Sequence, residues 1–346
     1  MTNAERKAAA QRKARDAAER ATRKDLAAAY GDAWRRIRER IDALAAEMAE
    51  ARKAGRTIRP SWLYEERRLE RLAQGIEAEF GTFIDLSTRR ITDEQMQAAI
   101  TGRDDAADLI RASLPQSAGF TPAFPTVPFE EMVGRLSSGA TLGQHLGAIV
   151  PTTAIEGVKR ALLQGIALGQ NPRKVARAMR DAGGLPLARA LTIARTETLG
   201  VYREATRQTF AANSDVLTGW EWHSALDKRT CPVCWSMHGT MHRPDESLDS
   251  HPSCRCAMLP VSKTWKELGF EGVPETRVTL EKGEDIFARQ SEALQRAVLG
   301  PGKFTAYKEG RLTLRDTVMK TRSTKWGPGR RERSLRSINA RKASGK

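Results

Sequence analysis

All four cysteines of this 346-residue chain lie between positions 231 and 256, and His251 lies among them. The pattern is Cys231-x2-Cys234, a gap of sixteen residues, and then His251-x2-Cys254-x-Cys256. Two ligands separated by two residues can sit on one tight turn and face a common centre, as in structural zinc sites. A disulfide framework would instead spread its cysteines along a short secreted chain. The cluster therefore predicts a metal site, with Zn²⁺ as the ion.

Five candidate ligands compete for the four positions of a tetrahedral site. We favour His251 and Cys254 as partners of Cys231 and Cys234, because they share the x2 spacing. Cys256 stays open as the alternative fourth ligand, since residues two apart in an extended chain point the same way. Arg255 is expected to offset the negative charge of the thiolates. Four protein ligands leave no open coordination position, so the predicted zinc is structural and contributes to folding.

Three further histidines, His223, His238 and His242, lie close to the cluster in sequence. A metal-dependent nuclease would need histidines and carboxylates around an open metal, but these spacings favour surface positions or support of the ligands. His145 is expected to pack in an apolar helix. The sequence has no phosphate-binding glycine loop of the P-loop kind and no Gly-x-Ser-x-Gly motif. We therefore predict no enzymatic activity and no small-molecule substrate.

Alanine-rich and charged segments with helical periodicity dominate the remaining sequence. We predict a helix over residues 1–58, with a frayed or disordered basic arm over about the first 25. A second helix follows Pro60, and the capping box at 92–95 predicts the start of a third, reaching about residue 114. Asn171-Pro172 predicts a helix start and Gly183-Gly184 its end.

Later segments change in character, and this change defines the predicted domains. We predict another helix start at residues 153–156 and a long helix from Pro186. Two strands are predicted at 220–223 and 258–261, followed by a last helix at 285–299. The predicted division is a helical region at 1–117, a proline-rich linker at 118–128, a domain at 129–262 with the zinc knot at 218–260, and an extension with a basic tail at 263–346. The fold class predicted is mainly α, with long helices, helical hairpins and a small zinc-stabilised α+β module.

The net charge of +16 is concentrated at the two ends of the chain. Residues 301–346 contain 14 basic and three acidic residues, and residues 1–60 contain 16 and nine. Basic ends on a near-neutral body favour contact with nucleic acid, although a solvated helix face with disordered tails would give the same count. The candidate nucleic-acid contacts are Arg330, Arg331, Arg333 and Arg336. No apolar run is long enough for a membrane span, and the charged start predicts no signal peptide, so we expect assembly in the cytoplasm of the producing cell.

Several of these segments together resemble the phage Mu F-like minor head proteins, also called the head-morphogenesis family. The resemblance covers about residues 150–260 and depends on motifs at 194–197, 219–222, 227–234, Gly239 and 251–256. Its motif residues outside the cluster are Arg195, Glu197, Trp222, Asp227 and Arg229. In this family the His-Pro-x-Cys portion is more regular than the position of Cys256, which supports His251 and Cys254 as the ligands.

The resemblance implies a minor capsid protein of a tailed phage or prophage. Such a protein associates with the portal and with other head or scaffold proteins, and lies inside the virion near the packaged DNA. We expect non-specific contact with that DNA and no contact with membranes. The alternative is a metal-dependent nuclease or toxin acting on nucleic acid, since some relatives carry C-terminal toxin domains.

Overall fold

The computed structural model describes residues 2–114, 119–134, 136, 139–272, 275, 279–323 and 327–344. Its helices are α1 (Asn3–Lys53), α2 (Arg68–Ser113), α3 (Leu142–Ala167), α4 (Pro172–Asp181), α5 (Gly184–Ala212), α6 (Pro232–Met237), α7 (Gly283–Ala288), α8 (Glu292–Lys308) and α9 (Leu335–Ala343). Its strands are β1 (Leu217–His223), β2 (Met241–His242), β3 (Ala257–Ser262), β4 (Val318–Ser323) and β5 (Gly327–Glu332). The described chain is thus mainly helical with small antiparallel sheets, as predicted. None of the described helices combines the length and apolar character that a membrane span requires.

The chain forms two compact units, and α1, α2 and α5 each contribute residues to both. The helical unit comprises Ala17–Glu94 and Gly134–Arg195. The sheet unit comprises Met1–Asp16, Gln95–Val133 and Thr196–Lys346, and it contains all five candidate metal ligands.

The helical unit has an aromatic core formed by α1 and α2. The ring of Tyr30 lies 5.4 Å from that of Phe80 and 5.3 Å from that of Phe83, measured between centroids. The Tyr30 hydroxyl donates a 2.6 Å hydrogen bond to the carbonyl of Gly183, so the phenol stays satisfied although it is buried. At the start of α4, the Asn171 side chain accepts from the backbone N–H of Arg173. The predicted cap at Asn171-Pro172 is therefore confirmed.

Gly183 packs directly on the indole of Trp34, and this contact gives a first testable prediction. A Cβ added at Gly183 would lie 2.1 Å from Cε2 of Trp34, whereas one added at Gly184 would meet nothing within 4 Å. We expect Gly183→Ala to lower the free energy of unfolding by about 1–3 kcal/mol, because the ring and the helices around it must shift. Urea denaturation measures the change. Gly184→Ala is the matched control, and equal stability of the two variants would contradict the contact.

The sheet unit is built on a three-stranded antiparallel sheet in the order β2-β1-β3. Trp220 and Trp222 of β1 are fully buried and join Phe210 of α5 and the cysteines in one core cluster. Leu259 of β3 belongs to another cluster with Ala4 and Ala8 of α1. Because both faces of β1 and β3 are covered, nearly every residue of the two strands is buried. The two predicted strands are confirmed.

The C-terminal segment was predicted to be one helix and a basic tail, and both predictions were incomplete. Two helices, α7 and α8, replace the single helix, and α8 is kinked at Gly300, whose φ of +72° and ψ of 165° are non-helical, so the predicted end at residue 299 matches this break. The tail instead forms the β4–β5 hairpin followed by α9. Ile338 of α9 is buried with Leu312 and Ala306, which supplies the apolar contact that a disordered tail would lack.

Predicted helix boundaries were wrong at three places. Residues 92–95 and 153–156 lie inside α2 and α3 rather than at helix starts, because no glycine or proline interrupts α2 near Thr92 and α3 continues through Pro151. The predicted frayed arm is the first part of α1, where Ala4 and Ala8 are buried. In the linker, residues 119–128 form neither helix nor strand, as predicted, while Ala118 lies outside the described residues.

Candidate metal centre

The five candidate ligands come from one short helix and one loop. Cys231 is the N-cap of α6, where its Sγ accepts from the N–H of Cys234 at 3.5 Å, and Pro232 starts the helix. This cap places Cys231 and Cys234 on the same turn. His251, Cys254 and Cys256 lie on the loop that leads into β3. Both halves of the predicted cluster are therefore brought together.

The ligand atoms form two overlapping triads that share Cys234. In the first, Nε2 of His251 lies 3.2 Å from Sγ of Cys231 and 3.3 Å from Sγ of Cys234. In the second, Cys234 joins Cys254 and Cys256, and the Sγ atoms of Cys234 and Cys254 are 3.7 Å apart. Zinc–sulfur bonds of about 2.3 Å place tetrahedral sulfurs about 3.8 Å apart. The cluster therefore has the donors and the spacing to hold a metal ion.

Electrostatic interactions among these side chains favour thiolates at Cys231 and Cys254, whereas hydrogen bonds with the neighbouring cysteines raise the pKa of Cys234. The pKa of Cys231 is lowered to about 5, first by its hydrogen bond with Cys234 and then by His251, which together outweigh burial. Burial alone would lower the pKa of His251, but its hydrogen bonds to Cys231 and Cys254 and the charges of these thiolates raise it to about 11. A metal ion would take the place of these shared protons, because thiolate and neutral imidazole are the ligating forms.

The surroundings of Cys254 and Cys256 differ, which bears on the choice between them. Cys254 interacts with both Cys234 and His251, and so bridges the two triads. The Sγ of Cys256 lies 3.2 Å from Oγ of Ser224, which also donates to the carbonyl of Cys234. Burial raises the pKa of the Cys256 thiol. Both thiols belong to the triad with Cys234, and the interaction of Cys254 with His251 is the feature that favours Cys254.

Asp227, one of the motif residues, organises the loop before Cys231. Its carboxylate accepts two hydrogen bonds from Arg255, at 2.6 and 2.9 Å, and further ones from the backbone of Arg229 and the hydroxyl of Thr230. The bonds from Arg255 lower the pKa of Asp227 to about 2. Arg255 was predicted to offset the thiolates. Its hydrogen bonds go to Asp227, because the guanidinium fork matches a carboxylate in a bidentate way, and the charge of Cys256 acts on it as well.

Replacing Asp227 by asparagine should weaken this loop. The amide cannot accept two charge-assisted bonds from Arg255, so we expect a loss of about 1–3 kcal/mol in the free energy of unfolding. The stabilisation by Asp227 is present above the ordinary carboxyl pKa of about 4 and is lost as the pH falls through about 2. Urea titrations at neutral pH compare the variant with Lys228→Gln, a charge change at an exposed neighbour. An unchanged midpoint for Asp227→Asn would contradict this role.

Helix α5 supports the ligand loop through two residues that sequence reasoning missed. Thr196 accepts a 3.0 Å hydrogen bond from the N–H of Ser253, whose φ of +59° lies in the left-handed region. Arg203 donates to the carbonyls of Cys254 and Cys256 at 2.7 and 2.9 Å. Residues seven apart lie on the same face of a helix, so this spacing was the available signal. The two contacts fix the backbone on both sides of Cys254.

The other motif residues have distinct positions. Arg195 forms an ion pair with Glu19 within the helical unit. Glu197 and Trp222 are buried in the sheet unit. Arg229 is exposed, with its side chain 3.8 Å from Asp227.

Gly239 is also explained by its surroundings. Its φ is +74°, and a Cβ there would lie 2.8 Å from the carbonyl oxygen of Glu281. The motif therefore combines residues that shape the loops with residues that form the core.

Of the two positions predicted for the remaining histidines, at the surface or in support of the ligands, the structure excludes the surface for His223 and His238, while His242 is half-buried. Both are buried, with ring centroids 5.7 Å apart, and Nδ1 of His238 accepts from the N–H of Ser224. His242 stacks on Trp220 at 4.2 Å between centroids and contacts Glu246. Within the described ranges, the two triads are the groups of three or more potential ligands close enough to share an ion. These histidines thus contribute to packing beside the centre.

The four predicted nucleic-acid contacts divide into buried and exposed residues. Arg330 is 8% exposed and lies over the ring of Trp222, at 5.3 Å from the centroid. Arg333 donates to the carbonyl of Val318 and is half-buried. Arg331 and Arg336 are exposed. The structure therefore corrects the prediction that Arg330 contacts nucleic acid, because its guanidinium is buried against Trp222.

The fold and the site define a mainly helical protein whose sheet unit is built around a buried cysteine–histidine centre. Residues 156–259 match the family model described as "Phage Mu protein F like protein". This match confirms the resemblance found in the sequence: residues 156–259 are similar to phage Mu F-like head-morphogenesis proteins. No curated protein and no solved structure gave a significant match. The family implies a role in phage head morphogenesis, interaction with other head proteins and association with the virion.

Proposed function

We propose that this protein is a minor capsid component that associates with the portal during head assembly and contacts packaged DNA. The observation that carries the proposal is the family match over residues 156–259, because that segment contains the whole cysteine–histidine centre. Portal association is tested by co-expression with the portal protein encoded beside its gene. Recovery of a stable complex supports the proposal, and separate elution of two folded proteins contradicts it.

The metal in this proposal is Zn²⁺ in a structural role. Three thiolates and one imidazole are soft and borderline donors that suit zinc, and a complete set of protein ligands leaves no place for a substrate. Elemental analysis of the purified protein should find about one zinc per chain. A different metal, or a folded protein without metal, would contradict this assignment.

We further propose that the protein is not an enzyme, against the alternative of a nuclease or toxin. The support is the sulfur-rich donor set, since nuclease metals favour oxygen ligands and open positions. Chelation separates the two functions. A structural metal predicts loss of fold on chelation, whereas a catalytic one predicts loss of nucleic-acid cleavage with the fold retained.

Non-specific DNA contact is proposed from the excess of basic residues at the chain ends. Neutralisation of phosphates by Lys and Arg releases counterions, so the affinity should fall steeply with salt and depend little on sequence. Filter binding of a duplex at increasing salt tests this. Absence of binding at low salt would exclude DNA as a partner.

A further inference from the structure

Two adjacent arginines of β5 have opposite environments. Arg330 is buried, and its Nη1 donates a 2.5 Å hydrogen bond to the carbonyl of Asp249. Its backbone N–H donates to the carbonyl of Ser250 at 3.2 Å. Arg331 is exposed, because successive side chains of a strand point to opposite faces. The same strand thus has one basic residue inside the unit and one on its surface.

The partners of Arg330 immediately precede the first ligand of the loop, His251. Gly329 lies so close to this loop that a Cβ there would be 2.5 Å from the carbonyl oxygen of Ser250. The guanidinium of Arg330 also lies over Trp222, in the same core cluster as Cys234 and Cys254. The hairpin therefore contacts the ligand loop through backbone and side chain.

The surface of this C-terminal segment is strongly basic. Its exposed basic residues without an ion pair to any described residue are Lys320, Arg322, Arg331, Arg336 and Arg341. Lys320 and Arg322 lie on the face of the hairpin that carries Arg330, Arg331 lies on the opposite face, and Arg336 and Arg341 belong to α9. Exposed cations that lack carboxylate partners are available to neutralise phosphates of a nucleic acid. We refer to these five residues as the C-terminal basic surface.

We propose that the C-terminal basic surface binds the phosphate backbone of duplex DNA, and that Arg330 couples this binding to the metal centre. This inference rests on the proposed DNA contact and adds its location and its dependence on the metal. Metal binding orders the loop at 249–256, Arg330 fixes the hairpin on that loop, and the hairpin presents the basic surface. Because coupling between two sites is reciprocal, DNA binding also strengthens retention of the metal.

The test compares Arg330→Lys with Arg331→Ala in the full chain. Metal affinity is measured by competition with a chromophoric chelator, and DNA affinity by anisotropy of a labelled short duplex. Arg330→Lys keeps the net charge but cannot reproduce the planar guanidinium contacts. We expect it to weaken metal binding by about tenfold, as for other residues that support ligands, and to weaken DNA binding as well. Arg331→Ala should weaken DNA binding severalfold and leave metal affinity unchanged.

The outcomes separate this inference from the proposed DNA contact. Wild-type affinities for metal and DNA in Arg330→Lys would overturn the coupling, even if DNA binding itself is real. Unchanged DNA binding in Arg331→Ala and in Arg336→Ala would overturn the location. A wild-type protein that binds no duplex even at low salt would overturn both. Hydrogen exchange of the β4–β5 amides shows whether each variant keeps the hairpin folded.

Discussion

Replacing Cys234 by serine is expected to abolish metal binding and unfold the part of the sheet unit from β1 to β3. Cys234 belongs to both triads, so no combination of the remaining ligands restores the arrangement around it. Structural zinc contributes about 10–16 kcal/mol of binding free energy at neutral pH, which matches or exceeds the stability of a typical domain. The protein should lose its zinc by elemental analysis. Its tryptophan fluorescence should shift to that of exposed indoles, because Trp220 and Trp222 lie in the same cluster.

Cys256→Ser is the matched control for this experiment. Cys254 and Cys256 belong to the same triad, but Cys254 interacts with His251 whereas Cys256 contacts Ser224, so the Cys256→Ser variant should keep its metal and unfold near the wild-type temperature. Cys254→Ser should behave like Cys234→Ser. The opposite result, with metal kept in Cys254→Ser and lost in Cys256→Ser, would make Cys256 the fourth ligand. A folded, metal-free Cys234→Ser protein would contradict the structural role of the metal.

Mild acid is expected to destabilise the sheet unit through His223 and His238. Burial, followed by the positive charge of Arg12, lowers the pKa of His223 to about 3, and burial is also the main cause that lowers the pKa of His238 to about 4. In the unfolded chain both titrate near 6.5. Above that pH neither histidine affects stability, and as the pH falls below it only the unfolded state takes up protons. At pH 5 each histidine should therefore cost about 2 kcal/mol relative to pH 7.5.

Release of metal in acid would also destabilise the protein, so the control must separate the two effects. His223→Gln removes one titrating group and leaves the ligands unchanged. Its loss of stability between pH 7.5 and 5 should be smaller than that of the wild type by about 2 kcal/mol. Parallel curves for the two proteins, measured by urea denaturation at fixed zinc concentration, would show that metal release alone causes the acid sensitivity.

Local sequence patterns predicted those features whose causes are local. The x2 spacings placed Cys231 with Cys234 and His251 with Cys254, because each pair needs one turn of chain to face a common centre. Asn171 and Pro172 predicted a helix start because the cap is satisfied within three residues. The capping patterns at 92–95 and 153–156 did not mark helix starts, because both lie inside longer helices. A capping sequence can start a helix, but it does not force a preceding helix to end.

Contacts between distant segments could not be predicted in the same way. Arg203 and Thr196 support a loop about 50 residues away, and the residues around them do not indicate that this loop is their partner. The β4–β5 hairpin was predicted to be a tail because its charge outweighs its few apolar residues. Its order comes from packing of Arg330 on Trp222 and on the ligand loop, an interaction that exists only once β1 and β5 are neighbours.

The sequence by itself determined that the chain is mainly helical, that its cysteines form one metal-type cluster, and that residues 150–260 resemble phage Mu F-like proteins. Each of these depends on residue type and short spacing. Only the tertiary structure decided which residues support the cluster, that Arg330 is buried while Arg331 is exposed, and that Arg255 pairs with Asp227. The physical reason is that burial and pairing of charged side chains depend on the segments packed around them, which local sequence does not specify.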